Sequence, residues 1–157
     1  MIFILFLSFI VSLTYLCYTV WVSKGIPVSI SDSYYLLGKR GWTFQLLMFA
    51  LSFGLLPVWS SVSEDAWMFL CFLSCGGLLF VGASPLFRLP LEGRVHHCSA
   101  YVCGGSAVLW QLLEGAWVWL VLCFALCTLA YLKWRKFMWW LEVALMMSLL
   151  GNLFLAM

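Results

Sequence analysis

All eight Lys and Arg residues fall in three of the five polar gaps that interrupt an otherwise apolar chain. Lys24, Lys39 and Arg40 lie in gap one, Arg88 and Arg94 in gap three, and Lys133, Arg135 and Lys136 in gap five. Gaps two and four hold only Glu64, Asp65 and Glu114 among charged residues. The stretches between the gaps are long enough to cross a bilayer, so basic and non-basic loops alternate as the positive-inside rule requires of a polytopic membrane protein. The pattern predicts an all-α integral membrane protein with loops one, three and five cytoplasmic. Both termini are then non-cytoplasmic.

Composition closes off the soluble alternatives. A chain of 157 residues that is 66% hydrophobic and 9% charged has too little polar surface to cover a globular core. Its mean hydropathy of +1.08 makes lipid the solvent for most side chains. The net charge of +2 is confined to loops, so it reports orientation and not nucleic-acid binding. The expected partners are membrane lipids, other membrane proteins or further copies of the chain, with no nucleic acid.

Six segments meet the requirement of roughly 20 apolar residues per span. They run over about 2–23, 41–60, 66–84, 96–113, 116–132 and 138–156 and leave room for one transmembrane helical domain, 1–157, with short loops. The first has no basic residue before it and no small-residue cleavage site, and reads as a retained helix. Gap two is short, which makes the second and third spans an antiparallel hairpin. Pro85 and Pro90 place a re-entry loop in gap three. Gap four is little more than Glu114-Gly115, and the count of six rests on that break. If the helix runs through it, there are five spans and the C-terminus changes side.

Tryptophans and small residues fill in the bundle. Trp21, Trp42, Trp59, Trp67, Trp117, Trp134, Trp139 and Trp140 lie near predicted helix ends, at headgroup level. Ser74, Gly76, Gly77, Gly82 and Ala83 mark one face of the third span. Ser99, Ala100, Cys103, Gly104, Gly105 and Ser106 mark one of the fourth, where close backbone approach replaces hydrophobic drive. The seven cysteines sit in or beside apolar segments, and their odd number argues against a disulfide framework. They read as packing residues. Gln45, Gln111 and Asn152 are placed to bridge helices, Glu114 to cap a turn, and Glu142 to favour a helix start.

Two polar clusters carry the remaining chemistry, and topology puts them on the same face. One is Gly25-Ile26-Pro27-Val28-Ser29-Ile30-Ser31-Asp32-Ser33-Tyr34-Tyr35 in gap one. The other is Glu92-Gly93-Arg94-Val95-His96-His97-Cys98-Ser99-Ala100-Tyr101 at the start of the fourth span. Adjacent helical residues point about 100° apart, so at most one of His96 and His97 faces the interior. The bland reading is an interfacial loop and one histidine bonded between helices, to Asp32 or Ser31. The functional reading makes His96 or His97, with Asp32 and Ser31, a general base, a metal ligand set or a proton-responsive group.

The stretch Pro27-Val28-Ser29-Ile30-Ser31-Asp32 and the spacing from His96 to Ala100 resemble the DRAM/Frag-type superfamily of six-span membrane proteins. The resemblance implies a six-helix bundle and a role in membrane trafficking, autophagy or lipid-anchor maturation. Ser, Asp and His near one face also resemble the alkaline-ceramidase-like membrane hydrolases, whose sites use three histidines and zinc; this chain has two. The expectation is a non-catalytic membrane protein without a cofactor: a scaffold, lipid-interacting module or accessory subunit. One alternative is a zinc-dependent lipid hydrolase on Asp32 and His96 or His97. Another is an oligomeric channel or holin-like pore. A hydrophobic cavity would favour lipid binding.

Overall fold

Within a bilayer every backbone N–H and C=O must be satisfied inside its own segment, and helices are the solution for apolar runs of this length. The computed structural model describes residues 1–87 and 91–157. Among these residues there are six long helices: α1 (Ile2–Val22), α3 (Trp42–Val62), α4 (Phe69–Ala83), α5 (Leu91–Leu113), α6 (Trp117–Trp134) and α7 (Phe137–Ala156). A short α2 (Ser33–Leu36) and a 3-10 turn at Gly38–Arg40 lie in gap one, and a second 3-10 turn, Ser84–Leu86, follows α4. Five helices are long and apolar enough to cross a membrane among the described residues. The one left out is α5, whose first turns carry Glu92, Arg94, His96 and His97. It begins at Leu91 and not at 96, so the histidines lie within the helix and not at its start. Arg88 and Pro90, assigned from sequence to a basic re-entry loop, lie outside the described residues.

The break on which the helix count rested is present. α5 stops at Leu113, Gly115 adopts φ +75°, and α6 starts at Trp117. That left-handed backbone is open to glycine without steric penalty.

The helices form a compact bundle with no strand among the described residues. α4 is sandwiched between α3 and α5, α1 rests on α3 and α7, and α7 reaches back to α5, while α6 packs mainly on α7. The α4–α5 crossing uses the small residues foreseen. A Cβ at Gly77 would stand 2.8 Å from the Ser99 oxygen and the Cys103 nitrogen, and Ser74 Oγ donates to the Cys103 carbonyl at 2.7 Å. Gly76 and Gly105 face open space instead. On the α6–α7 side the Trp119 indole lies across Gly151 and donates to the Met147 carbonyl at 3.4 Å.

Two of the tryptophans expected at headgroup level belong to the core. Trp59 is 1% exposed and packs edge-on against Trp110 at 5.3 Å, and Trp139 is 3% exposed. Position near a helix end says nothing about whether a ring turns outward or inward, and here both turn inward. Trp21, Trp42, Trp117 and Trp134 do face outward.

Contacts between gaps assign them to ends of the bundle. The Trp67 indole (2.8 Å) and the Glu64 amide (3.2 Å) both donate to the Glu114 carboxylate, which joins gaps two and four. Gap one meets gap three through Tyr35 and Glu92, and meets the start of α7, just after gap five, through Trp139 N–H and the Val28 carbonyl at 3.0 Å. Gaps two and four thus meet each other, and gap one meets gap three and the start of α7.

Candidate functional site

Gap one folds over one end of the bundle as a cap. Pro27, Ile30 and Leu37 are buried beneath it, which ties the loop to the core by apolar contact. Polar bonds fix its register. Ser33 Oγ, itself buried, donates to the Ile30 carbonyl at 2.5 Å and pairs with Tyr15 Oη of α1 at 2.6 Å. The Asp32 amide donates to Ser29 Oγ at 3.0 Å, and the Ser29 and Ser31 hydroxyls pair at 3.1 Å. On α7 the Glu142 carboxylate accepts the Ile30 N–H. On α5 the Glu92 carboxylate accepts the Tyr35 hydroxyl proton. Losing that proton would break the bond and set two anions together, so the Tyr35 phenol is pushed up to about 12.

Beneath and beside the cap are two neighbouring spaces. A vestibule of about 350 Å³ is lined by Ser29, Ser31, Asp32, Tyr35, Ser84, Glu92, His96 and His97, with Phe44, Pro85 and Gly93. A cleft of about 170 Å³ runs between α3, α4, α5 and α7, walled by such residues as Met48, Leu55, Leu78, Ala107, Leu145 and Leu149. Ser31 and Phe44 line both, and Glu142 stands on the cleft wall near the cap. A volume of this order, lined by aliphatic side chains, stays dry and accepts a small hydrocarbon group.

All four residues singled out from sequence, Ser31, Asp32, His96 and His97, reach the vestibule. His96 is half-buried and His97 exposed, with their rings edge-to-face at 5.7 Å, as two adjacent helical positions require. The partner of His96 differs from the one expected. Its Nδ1 lies 3.1 Å from Ser84 Oγ, and neither imidazole bonds to Asp32 or Ser31 among the described residues. Ser84 Oγ also lies 2.8 Å from the Val81 carbonyl, so the serine sits between its own helix turn and the imidazole.

The described residues do not fit the zinc site of the hydrolase alternative. No three His, Cys, Asp or Glu side chains among them converge to hold a metal ion. The seven cysteines are free thiols; Cys71, Cys75 and Cys123 are buried and Cys17 and Cys98 exposed.

Sequence reasoning missed the roles of Ser84 and Glu142. Glu142 carried a usable signal, because an ionisable residue inside an apolar span normally has a specific partner or task. Ser84 carried none, being one of many serines near helix ends. In comparison with known proteins, no family model, no curated protein and no solved structure matches the chain.

Proposed function

We propose that this is a non-catalytic six-span membrane protein that acts as a lipid-interacting module, taking one apolar chain between its helices. The observation that carries the reading is an aliphatic cleft beside a polar vestibule, with Ser31 and Phe44 on the walls of both. Concave, mostly apolar sites with a few converging polar groups are the form small-ligand sites take. An amphiphile would set the first part of its chain against the aliphatic cleft and its head toward the polar vestibule beside it.

In this reading α5, the fourth long helix along the chain, is also a span and brings the count to six. Its charged first turns lie at the interface, and gaps one, three and five, with their basic residues, face the cytoplasm. The DRAM/Frag-type resemblance, with its association with trafficking and lipid-anchor maturation, accords with a lipid-handling role.

Mass spectrometry of the protein released intact from native membranes tests the proposal. The wild type should retain a single-chain or diacyl lipid at defined stoichiometry. Leu145→Trp, which fills the cleft, should lose it while remaining helical. Equal retention by both proteins would refute the reading.

A further inference from the structure

The two helices that deliver the chain into gaps one and five each end on a cation in the same unusual backbone. Lys24 after α1 (φ +52°) and Arg135 after α6 (φ +57°) are the non-glycine residues with positive φ among the described residues. At α1 the Lys24 N–H returns to the Trp21 carbonyl at 3.3 Å and the Gly25 N–H to the Val20 carbonyl at 3.1 Å. At α6 the Arg135 N–H returns to the Tyr131 carbonyl at 2.7 Å. Helices that close in this left-handed turn commonly place glycine there, because a Cβ crowds the backbone. Gly25 stands beside Lys24, yet the lysine takes the left-handed position. The helix dipole favours a cation anywhere in the last turn, and Lys133 already supplies one on α6, so it does not call for a strained site. A side chain held in such backbone points to a task for it.

The surroundings of the two cations match phosphate. Trp21 and Trp134, both turned outward, set the headgroup level within a helical turn of each. Lys24 and Arg135 are exposed, and the Lys133 ammonium lies over the Trp134 ring at 4.8 Å. Gaps one and five together carry six cations, Lys24, Lys39, Arg40, Lys133, Arg135 and Lys136, against one carboxylate, Asp32. The Trp139 N–H, just after gap five, bonds to the Val28 carbonyl of gap one and so holds the two gaps at one end of the bundle. The carboxylates that approach gap one from α5 and α7 are engaged there, Glu92 by Tyr35 and Glu142 by the Ile30 N–H. A zwitterionic headgroup brings its own cation to such a surface, whereas an anionic phospholipid brings net negative charge. We propose that this end of the protein is a docking surface for anionic phospholipid, with Lys24 and Arg135 as its principal phosphate contacts. The contacts lie apart from the cleft, so the inference does not rest on chain binding between the helices.

The test is native mass spectrometry of the full chain in detergent micelles, titrated with dioleoylphosphatidylglycerol or dioleoylphosphatidylcholine. The wild type should bind the first phosphatidylglycerol about tenfold or more tightly than phosphatidylcholine, the size expected of two cations near a headgroup. Lys24→Gly/Arg135→Gly suits the left-handed backbone while removing both charges. It should bring the two affinities within about threefold of each other, with a thermal unfolding midpoint at or above that of the wild type. Lys39→Gln/Arg40→Gln removes equal charge from the 3-10 turn of gap one and should retain most of the preference, as should Leu145→Trp in the cleft. Inorganic phosphate should not displace the lipid. Equal affinities in the wild type, or a preference that survives in the glycine variant, would overturn the assignment. A lower midpoint in the glycine variant would overturn it too, by showing that the two cations serve the helix ends. Equal loss in both double variants would replace the two contacts by diffuse charge, and displacement by phosphate would replace the lipid by a soluble anion.

Discussion

At the end of the bundle formed by gaps two and four, polar groups are spent on one another. Glu114 accepts from Trp67 and Glu64, Trp110 donates its indole proton to Ser63 Oγ at 2.8 Å, and Asn152 donates to buried Gln111 at 2.5 Å. At the opposite end, Asp32, His96 and His97 border an open vestibule, and a carboxylate, Glu142, reaches the wall of an apolar cleft. Both ends place titratable residues close to lipid. One closes most of its polar groups into internal pairs, the buried Trp59 indole N–H excepted, and the other leaves acceptors facing a space. Under the proposed lipid-interacting reading, the first end anchors the bundle and the second is where a ligand would bind.

The largest effect that would sharpen this contrast comes from paired glycine variants. Gly77→Ala forces a Cβ against α5 backbone, whereas a Cβ at Gly104 meets only the end of the Leu145 side chain at 3.3 Å, beside the cleft. Gly77→Ala should destabilise by about 2–3 kcal/mol and Gly104→Ala by under about 0.5 kcal/mol, read from SDS-induced loss of helical circular dichroism in mixed micelles. Similar values for the two would mean that the α4–α5 seam is no tighter than the cleft.

A smaller effect is expected at the closed end. Asn152→Leu leaves fully buried Gln111 without its partner and should cost about 1–2 kcal/mol in the same assay. Gln111→Leu/Asn152→Leu removes both members of the pair and should recover most of that loss. Failure to recover would show that the Asn152 bond to the Ala116 carbonyl at 3.3 Å, or the packing around it, matters more than the amide pair. Trp67→Phe, which deletes one donor to Glu114, should follow at about 1 kcal/mol.

The open end should be the more forgiving. Asp32→Asn should change stability by less than about 0.5 kcal/mol, because its carboxylate faces the vestibule and not a protein donor. The smallest effect is a pH effect at Tyr35. Its phenol ionises near 12 in the folded protein against an ordinary value of 10.0, so the Glu92 bond contributes in full below pH 10 and is lost as pH rises through about 12. The tyrosinate absorbance of the wild type should show a late-ionising component, and Tyr35→Phe should reduce it by one residue. An unchanged titration would break the link drawn between gap one and α5.

Much of the architecture was legible in the sequence because its causes are local. Whether a segment crosses lipid depends on its own summed hydropathy, and which loops gather at one end follows from the number of helices between them. That is why the long helices, the break at Glu114-Gly115 and the convergence of Ser31, Asp32 and the histidines could be anticipated. The start of α5 could not be placed as well. Glu92 and Arg94 look like loop residues until the helix that carries them is seen to project past the apolar zone.

What only the tertiary structure decided is how each helix is turned about its axis. Helices that are apolar on nearly every side display no stripe to say which face is buried, so the rotation is set by shape: Gly77 against Ser99 and Cys103, Gly151 under Trp119. Those rotations bring Ser84 to His96, Glu142 to the Ile30 amide, and Trp59 inward against Trp110. The sequence by itself determined a helical membrane protein with its charges sorted by loop. Side-chain packing between helices, which no single segment encodes, decided that one end would close on itself and the other would hold an open site.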